Sequence, residues 1–390
     1  MSTDNTKINV NMILMSVSNL LVQTGIYMLY PIMPAWLVSR CGCESWLSGI
    51  LTALFGLGIL LMGPFYGYLV DKYRRKTVCW LSFIGVALAV LLSFNTASLA
   101  VVIVSRLAQG AFFGLSQMAL GSCLVIDLSD SSRRTEANAT FAWYGRLGLA
   151  LGPFIGILLS SQFDTIVNVY VSVAFLVIGA AMVQCIYVPF RAPLNPPICS
   201  FDRFWMPKGF PLVINILPIT ILLGIIFSRY YSMNQVLLFG YMLVGFATTI
   251  MIGHQNNSVH RRIDMLIIGM IWILAVILCF NIFDVEKLPV LAIDIVLPMS
   301  GFVVGCAFGI SLSFFLLKFI DIADHCQRGT ANNTFKVCCE LGISIGFGLC
   351  YLLMYFDGTS SLGAIEIGLA SFAILFYLLY TRKWIKKAAR

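Results

Sequence analysis

The sequence predicts an all-α integral membrane protein. Twelve membrane-crossing helices form two pseudo-symmetric six-helix bundles, related by an axis along the membrane normal. Three observations carry this. First, 59% of the 390 residues are hydrophobic and only 11% are charged, where a soluble domain carries about a quarter charged. Second, apolar windows long enough to cross a bilayer, ~20 residues each, recur along the chain. Third, the stretch Asp127–Gly156, DLSDSSRRTEANATFAWYGRLGLALGPFIG, returns as Asp321–Gly348, DIADHCQRGTANNTFKVCCELGISIGFG. One constant offset maps Asp127 onto Asp321, Arg134 onto Arg328, and Gly148 and Gly152 onto Gly342 and Gly346. A repeat at half the chain length is the mark of a doubled unit.

The elements follow in order. The predicted spans are Val10–Val38, Trp46–Val70, Thr77–Phe94, Leu99–Ile126, Glu136–Leu159, Ile166–Val188, Phe210–Phe227, Gln235–Gly253, Met265–Phe283, Leu288–Ile320, Thr330–Tyr355 and Leu362–Tyr380. This divides the chain into a bundle over 1–188, a connection over 189–209 and a second bundle over 210–390. Most Lys and Arg fall in the segments of one side: Asp71–Lys76, Leu128–Thr135, Pro189–Lys208, His254–Asp264, Asp321–Gly329 and the tail Thr381–Arg390. Arg40, Arg229 and Lys287 fall on the other. The positive-inside rule therefore places both termini in the cytoplasm. The opening apolar run is too long for a signal-peptide core and has no small-residue cleavage site after it. In the central connection, Phe201, Phe204 and Trp205 beside Asp202, Arg203 and Lys208 fit a short amphipathic surface helix. We read the stretch as a linker.

Composition also excludes function classes. The net charge of +8 is spread over short loops and is no nucleic-acid signal. Most of the twelve cysteines lie in apolar runs, where cysteine is a small hydrophobe. Cys41 and Cys43 alone do not make a metal or redox site. His254, His260 and His325 form no metal-binding pair, and no GxxxxGK[ST] run appears. No catalytic set, cofactor or metal is expected, and the chain does not read as an enzyme.

Charges inside spans are costly and usually functional. Arg106 is followed by Gln109, Gly110, Phe113 and Gln117 at spacings of three and four, a polar stripe that points to a water-filled cavity. Arg146 lies in the fifth span. Its repeat equivalent is Glu340, one turn after Lys336, so Lys336 and Glu340 are placed to pair at i, i+4. In the first span Gln23, Tyr27 and Tyr30 precede Pro31 and Pro34. Trp143, Tyr144 and Asn215 complete a candidate amphipathic pocket. Proton coupling needs a carboxylate that protonates within the membrane; burial raises a carboxyl pKa and a nearby cation lowers it. Glu340 is the best placed by depth and Asp294 the second. Gly148, Gly152 and Gly156 recur every four residues on one helical face, with Pro153 among them, and small residues allow close helix approach.

Between spans two and three stands GYLVDKYRRK, Gly67–Lys76. Its Gly67, Leu69, Asp71, Arg75 and Lys76 resemble the signature loop of the major facilitator superfamily, with Arg74 in place of the second glycine. RLAQG, Arg106–Gly110, resembles that family's second motif. Gly148, Gly152, Pro153 and Gly156 resemble the motif of its drug–proton antiporter branches, with Ile157 in place of the last glycine. The resemblance implies secondary active transport by alternating access: a small hydrophobic or amphipathic molecule exported against protons across a bacterial inner membrane by a monomer. It implies a cavity lined by spans one, four, seven and ten, holding Gln23, Tyr27, Tyr30, Arg106, Gln109, Phe113, Gln117, Trp143, Arg146, Asn215, Lys336 and Glu340. Proton coupling falls to Glu340, Asp294 and Arg106. Gating falls to Gly67, Asp71, Arg75, Lys76, Asp127, Arg134, Gly148, Gly152, Pro153, Asp321 and Arg328. Uptake of a small anionic or sugar-like solute, and a membrane sensor that keeps the fold without transporting, are the alternatives.

Overall fold

The computed structural model describes residues 10–129, 134–188, 196–231, 236–255, 259–282, 290–324, 327–356 and 358–388. All regular structure among them is helical. The order is α1 Val10–Tyr27, α2 Met33–Cys41, α3 Ser45–Lys72, α4 Arg75–Phe94, α5 Leu99–Gln117, a π-helical segment Met118–Leu124, α6 Val125–Leu128, α7 Arg134–Ser160, α8 Thr165–Cys185, α9 Phe210–Tyr231, α10 Val236–Gln255, α11 Val259–Ile282, α12 Val290–Asp321, α13 Arg328–Phe356, α14 Thr359–Phe376 and α15 Arg382–Ala388. Ten helical stretches among the described residues are long and apolar enough to cross a membrane, and the apolar helices 236–249 and 265–278 are shorter. Large side chains such as Leu61, Leu88, Val104, Val244 and Leu379 stand exposed on the outside of the helices, where lipid rather than water would meet them.

Two predicted spans are not straight rods. The first breaks after Tyr27 into α1 and α2, through a turn at 28–32. Pro31 has no N–H to give, and its ring would clash with the carbonyl of Tyr27 four residues back. A second proline, Pro34, suits the first turn of α2. That helix stops at Gly42, whose φ of 65° is the left-handed cap glycine tolerates best. The fourth span widens at Met118–Leu124 into a π-helical turn before α6. Such bulges concentrate at functional sites.

The repeat is visible as packing. A Cβ on Gly152 would stand 2.7 Å from the Tyr27 Cβ, and one on Gly156 would stand 2.3 Å from the Met28 carbonyl oxygen. In the second copy, a Cβ on Gly346 would meet the Ile221 carbonyl oxygen at 2.2 Å. So α7 lies backbone to backbone on α1, and α13 lies on α9 in the same way. The α3–α5 and α10–α12 pairs close likewise, Gly110 against the Phe55 carbonyl and Gly305 against that of Met242. Gly148 and Gly152, expected as a gating face, therefore fasten α7 to its own neighbour α1. They do not face the other half of the chain, because the close approach they permit is already taken by that helix.

Candidate functional site

The face of α13 at Asn332, Lys336, Glu340 and Ser344 repeats every four residues, which stacks the four side chains in one column. The column faces helices of the first half. Asn332 Nδ2 donates to the Gly121 carbonyl at 3.3 Å, in the π-helical segment. Lys336 Nζ donates to Gln117 Oε1 at 3.1 Å and lies 4.8 Å from the Phe141 ring centre. The Tyr27 hydroxyl donates to Glu340 Oε2. Ser344 Oγ and the Tyr30 hydroxyl are 2.9 Å apart. At the N-terminal end of α13 Ser122 Oγ donates to the Gly329 carbonyl at 2.9 Å, and at its C-terminal end the Tyr355 hydroxyl donates to Glu44. Thus α13 is bonded to the first-half helices along its whole length. We call this line the seam.

The break after Tyr27 serves the seam. It releases α1 from straight helical geometry where Tyr27 and Tyr30 stack at 5.4 Å, so both hydroxyls reach α13. Lys336 and Glu340 do not form the expected pair. Lysine before glutamate is the weaker order for an i, i+4 pair, and each side chain finds a partner across the seam instead. Arg146 also crosses: its Nη1 donates to Ser313 of α12 at 2.8 Å, and its guanidinium lies 5.6 Å from the rings of Trp143 and Phe335. Arg146 Nη2 and Gln117 Nε2 are buried with no partner. Gln23, Arg146 and Glu340 each keep 8% of their surface, while Trp143, Ser313 and Lys336 are half-buried. The seam is tight there but not sealed.

Other predicted site residues lie elsewhere. Arg106 meets the seam at Tyr30, whose ring lies 5.2 Å away; its nitrogens also go to Gln109 Oε1 at 2.6 Å and to the Thr52 carbonyl. Gln109 turns away to α4, donating to the Ala89 carbonyl and to Ser93 Oγ. Phe113 is buried against Phe55. The outer part of the α5 stripe, Arg106 and Gln109, is thus folded largely onto carbonyls of α3 and α4, while Gln117 at its far end crosses the seam to Lys336. Asn215 is likewise internal: it donates to the Ala373 carbonyl at 2.8 Å and accepts from Thr381. Asp294 and Arg134 have side chains outside the described residues, as do Asp130 and Arg133.

Some participants were not singled out from sequence. Ser344 extends the four-residue spacing already seen in Asn332, Lys336 and Glu340, so its signal was present. Ser313 carried none. Arg229, expected in an outer loop, is in the last turn of α9 and pairs with Glu366 of α14 at 2.9 Å. A cavity of about 390 Å³, lined by Gly58, Leu61, Met62, Tyr66, Leu107 and Phe112 among others, lies between α3 and α5. None of the seam residues lines it.

Where α3 gives way to α4, Arg75 bridges Asp127 at 2.6 Å and Asp71 at 3.1 Å, and Lys76 caps the Ile186 carbonyl at 2.8 Å. All of these residues belong to the first half. Asp321 pairs only locally, with Lys318 at 2.9 Å. The ionic link beyond the first-half helices comes from the connection: Arg203 reaches the second oxygen of Asp71 at 3.0 Å. Gly67 makes room for it, since a Cβ there would stand 3.0 Å from the Arg203 Cβ.

A polytopic helical protein whose repeated halves meet across buried ionic groups has the form of a membrane transporter. Residues 15–228 match the Major Facilitator Superfamily. The tetracycline resistance protein, class B, of Escherichia coli is 30% identical over 145 residues, 36% of this chain and 35% of that protein. The class H protein of Pasteurella multocida is 28% identical over 154 residues, 39% of this chain and 38% of that one. The matches thus span little more than a third of these relatives. The crystal structure of the human organic anion transporter MFSD10 superposes with a TM-score of 0.67 at 16% identity, over 95% of this chain and 98% of that one. The chain belongs to the Major Facilitator Superfamily and resembles its drug:proton antiporter branch.

Proposed function

We propose that this transporter exports a small hydrophobic or amphipathic molecule in exchange for protons by alternating access. Its twelve spans form two bundles, 1–188 and 210–390, with both termini in the cytoplasm and the whole in a bacterial inner membrane. The observation that carries the reading is Glu340. Among the described residues it is the one buried carboxylate on the seam, and its bond to Tyr27 joins the two halves. As a carboxylate, Glu340 accepts the Tyr27 hydroxyl and offsets the charge of Lys336 one turn away. Once protonated, it loses its charge and can itself donate, so the Tyr27 contact weakens and Lys336 is left to its Gln117 contact. A proton at this one group therefore changes the contacts that keep the seam shut. The unpartnered Arg146 Nη2 and Gln117 Nε2, with the rings of Trp143, Phe141 and Phe335 beside them, supply donors and apolar walls for a substrate. The tetracycline-resistance relatives support export as the direction.

The test is Glu340→Gln in inside-out membrane vesicles given an acid-inside gradient and a fluorescent amphiphile, with a tetracycline as one member of the panel. Wild type should accumulate dye and release it when the gradient is collapsed. The variant should fall to background accumulation while still exchanging labelled for unlabelled dye. Unchanged gradient-driven accumulation in the variant would remove Glu340 from the coupling step.

A further inference from the structure

The connection between the halves is docked, not slack. Ser200 N–H donates to the Pro64 carbonyl of α3 at 2.9 Å. Arg203 pairs with Asp71. The Phe204 ring fills the notch left by Gly63, where a Cβ would stand 2.0 Å from it, and meets Tyr66 edge-on at 6.4 Å. On its other side the same segment is held by α13. Met206 N–H donates to Thr334 Oγ1 at 2.9 Å, Asn333 Nδ2 to the Phe204 carbonyl at 3.0 Å, and Thr330 Oγ1 to the Asp202 carbonyl at 3.0 Å. Phe204 and Met206 are 3% and 2% exposed, as buried as any core residue. The buried part of the amphipathic pattern, Phe204 and Met206, bridges α3 to α13.

The inner end of α13 is therefore gripped twice. Gly329, Asn332 and Lys336 hold the π-helical segment and Gln117, while Thr330, Asn333 and Thr334 hold the connection. We infer that residues 200–208 act as a strap that keeps the cytoplasmic face shut, and that release of this strap from α3 is a step in opening toward the cytoplasm. This goes beyond the export reading and depends on alternating access alone. The strap parts from α3 rather than from α13 for a physical reason. Leaving α13 would strand two buried donors, the Asn333 amide and the Met206 N–H, which is costly. Leaving α3 costs less, because Asp71 keeps Arg75 and the half-exposed Arg203 returns to water. The aromatic ring of Phe204 is the main holding contact, and the ion pair is secondary.

Backbone hydrogen exchange of the full chain in lipid nanodiscs tests this, since it reads local opening without requiring transport. Arg203→Ala should raise exchange at 118–124 and 328–336 by up to about fivefold, the scale of a partly exposed ion pair. Phe204→Ala should raise it more than about tenfold, the scale of losing a buried aromatic side chain. In both, the glycine-packed stretches 145–156 and 338–346 should stay as in wild type, and Phe201→Ser, at an exposed strap position, should change nothing. Faster exchange confined to 200–208, with 118–124 and 328–336 unchanged, overturns the inference. If Phe204→Ala loosens every helix, the milder Arg203→Ala decides by the same two readings. A transporter that fails the Glu340 test but passes this one still has the strap.

Discussion

The two copies of the repeat, α7 and α13, differ on one face and agree on the other. Both press a glycine stripe onto the first helix of their own half, α7 on α1 and α13 on α9, with carbonyl oxygens where side chains would otherwise stand. On the side facing the partner half they part. Arg146 of α7 is answered in α13 by Glu340, and the neighbours differ as well: Ser313 and ring faces for the arginine, the Tyr27 hydroxyl for the glutamate. A doubled unit can keep its packing while its seam-facing residues diverge, because packing is judged within a half and ionic function across the halves. Among the described residues, Asp71, Asp127 and Arg75 form a connected ionic cluster, while Asp321, the repeat equivalent of Asp127, pairs with Lys318.

The largest expected effect comes from breaking the shared face. Gly152→Leu and Gly346→Leu should each prevent recovery of folded protein, and even the alanine variants should cost about 1–3 kcal/mol or more, since the obstructing atoms are main chain. Thermal unfolding in detergent measures this. Equal losses at the two sites would confirm equivalent packing, and a silent Gly346→Ala would break the comparison. Next comes the seam. Tyr27→Phe should lower gradient-driven transport about tenfold or more and cost ~1.5–3 kcal/mol in stability, from losing a hydrogen bond to a charged group. Ser313→Ala, the matching change at the arginine, should do less, because the guanidinium keeps its two ring contacts. An initial-rate comparison of these two variants tests whether the copies have unequal roles. Ser344→Ala removes a neutral hydrogen bond and should cost about 1 kcal/mol in stability. Smallest is Lys208→Ala. Its pair with Asp324 is 2.6 Å long but 60% and 65% exposed, so the melting temperature should move by no more than a degree or two, and less in high salt.

Much of this was legible in the chain because it rests on local pattern. Long apolar windows need only be counted, and a repeat needs only to be aligned. The polar column of α13 follows from four-residue spacing. What was not legible depended on a neighbour. Gln109 and Asn215 look like cavity residues because they are polar in apolar helices, yet main-chain carbonyls one helix away satisfy them. Gly148 and Gly152 announce a close approach without naming the helix that approaches. The segment at 200–208 reads as a linker since its partners, α3 and α13, lie more than a hundred residues away from each side of its grip.

The amino-acid sequence by itself determined that this protein lives in lipid, that its two halves descend from one unit, and that Arg106, Arg146 and Glu340 are buried. Those facts follow from composition and periodicity, and both are properties of the chain read in order. Only the tertiary structure decided that Glu340 meets Tyr27 rather than Lys336, that α1 breaks to make that meeting possible, and that Arg203 returns to Asp71. A side chain chooses among all partners within a few ångströms, and that set exists only once the helices have packed.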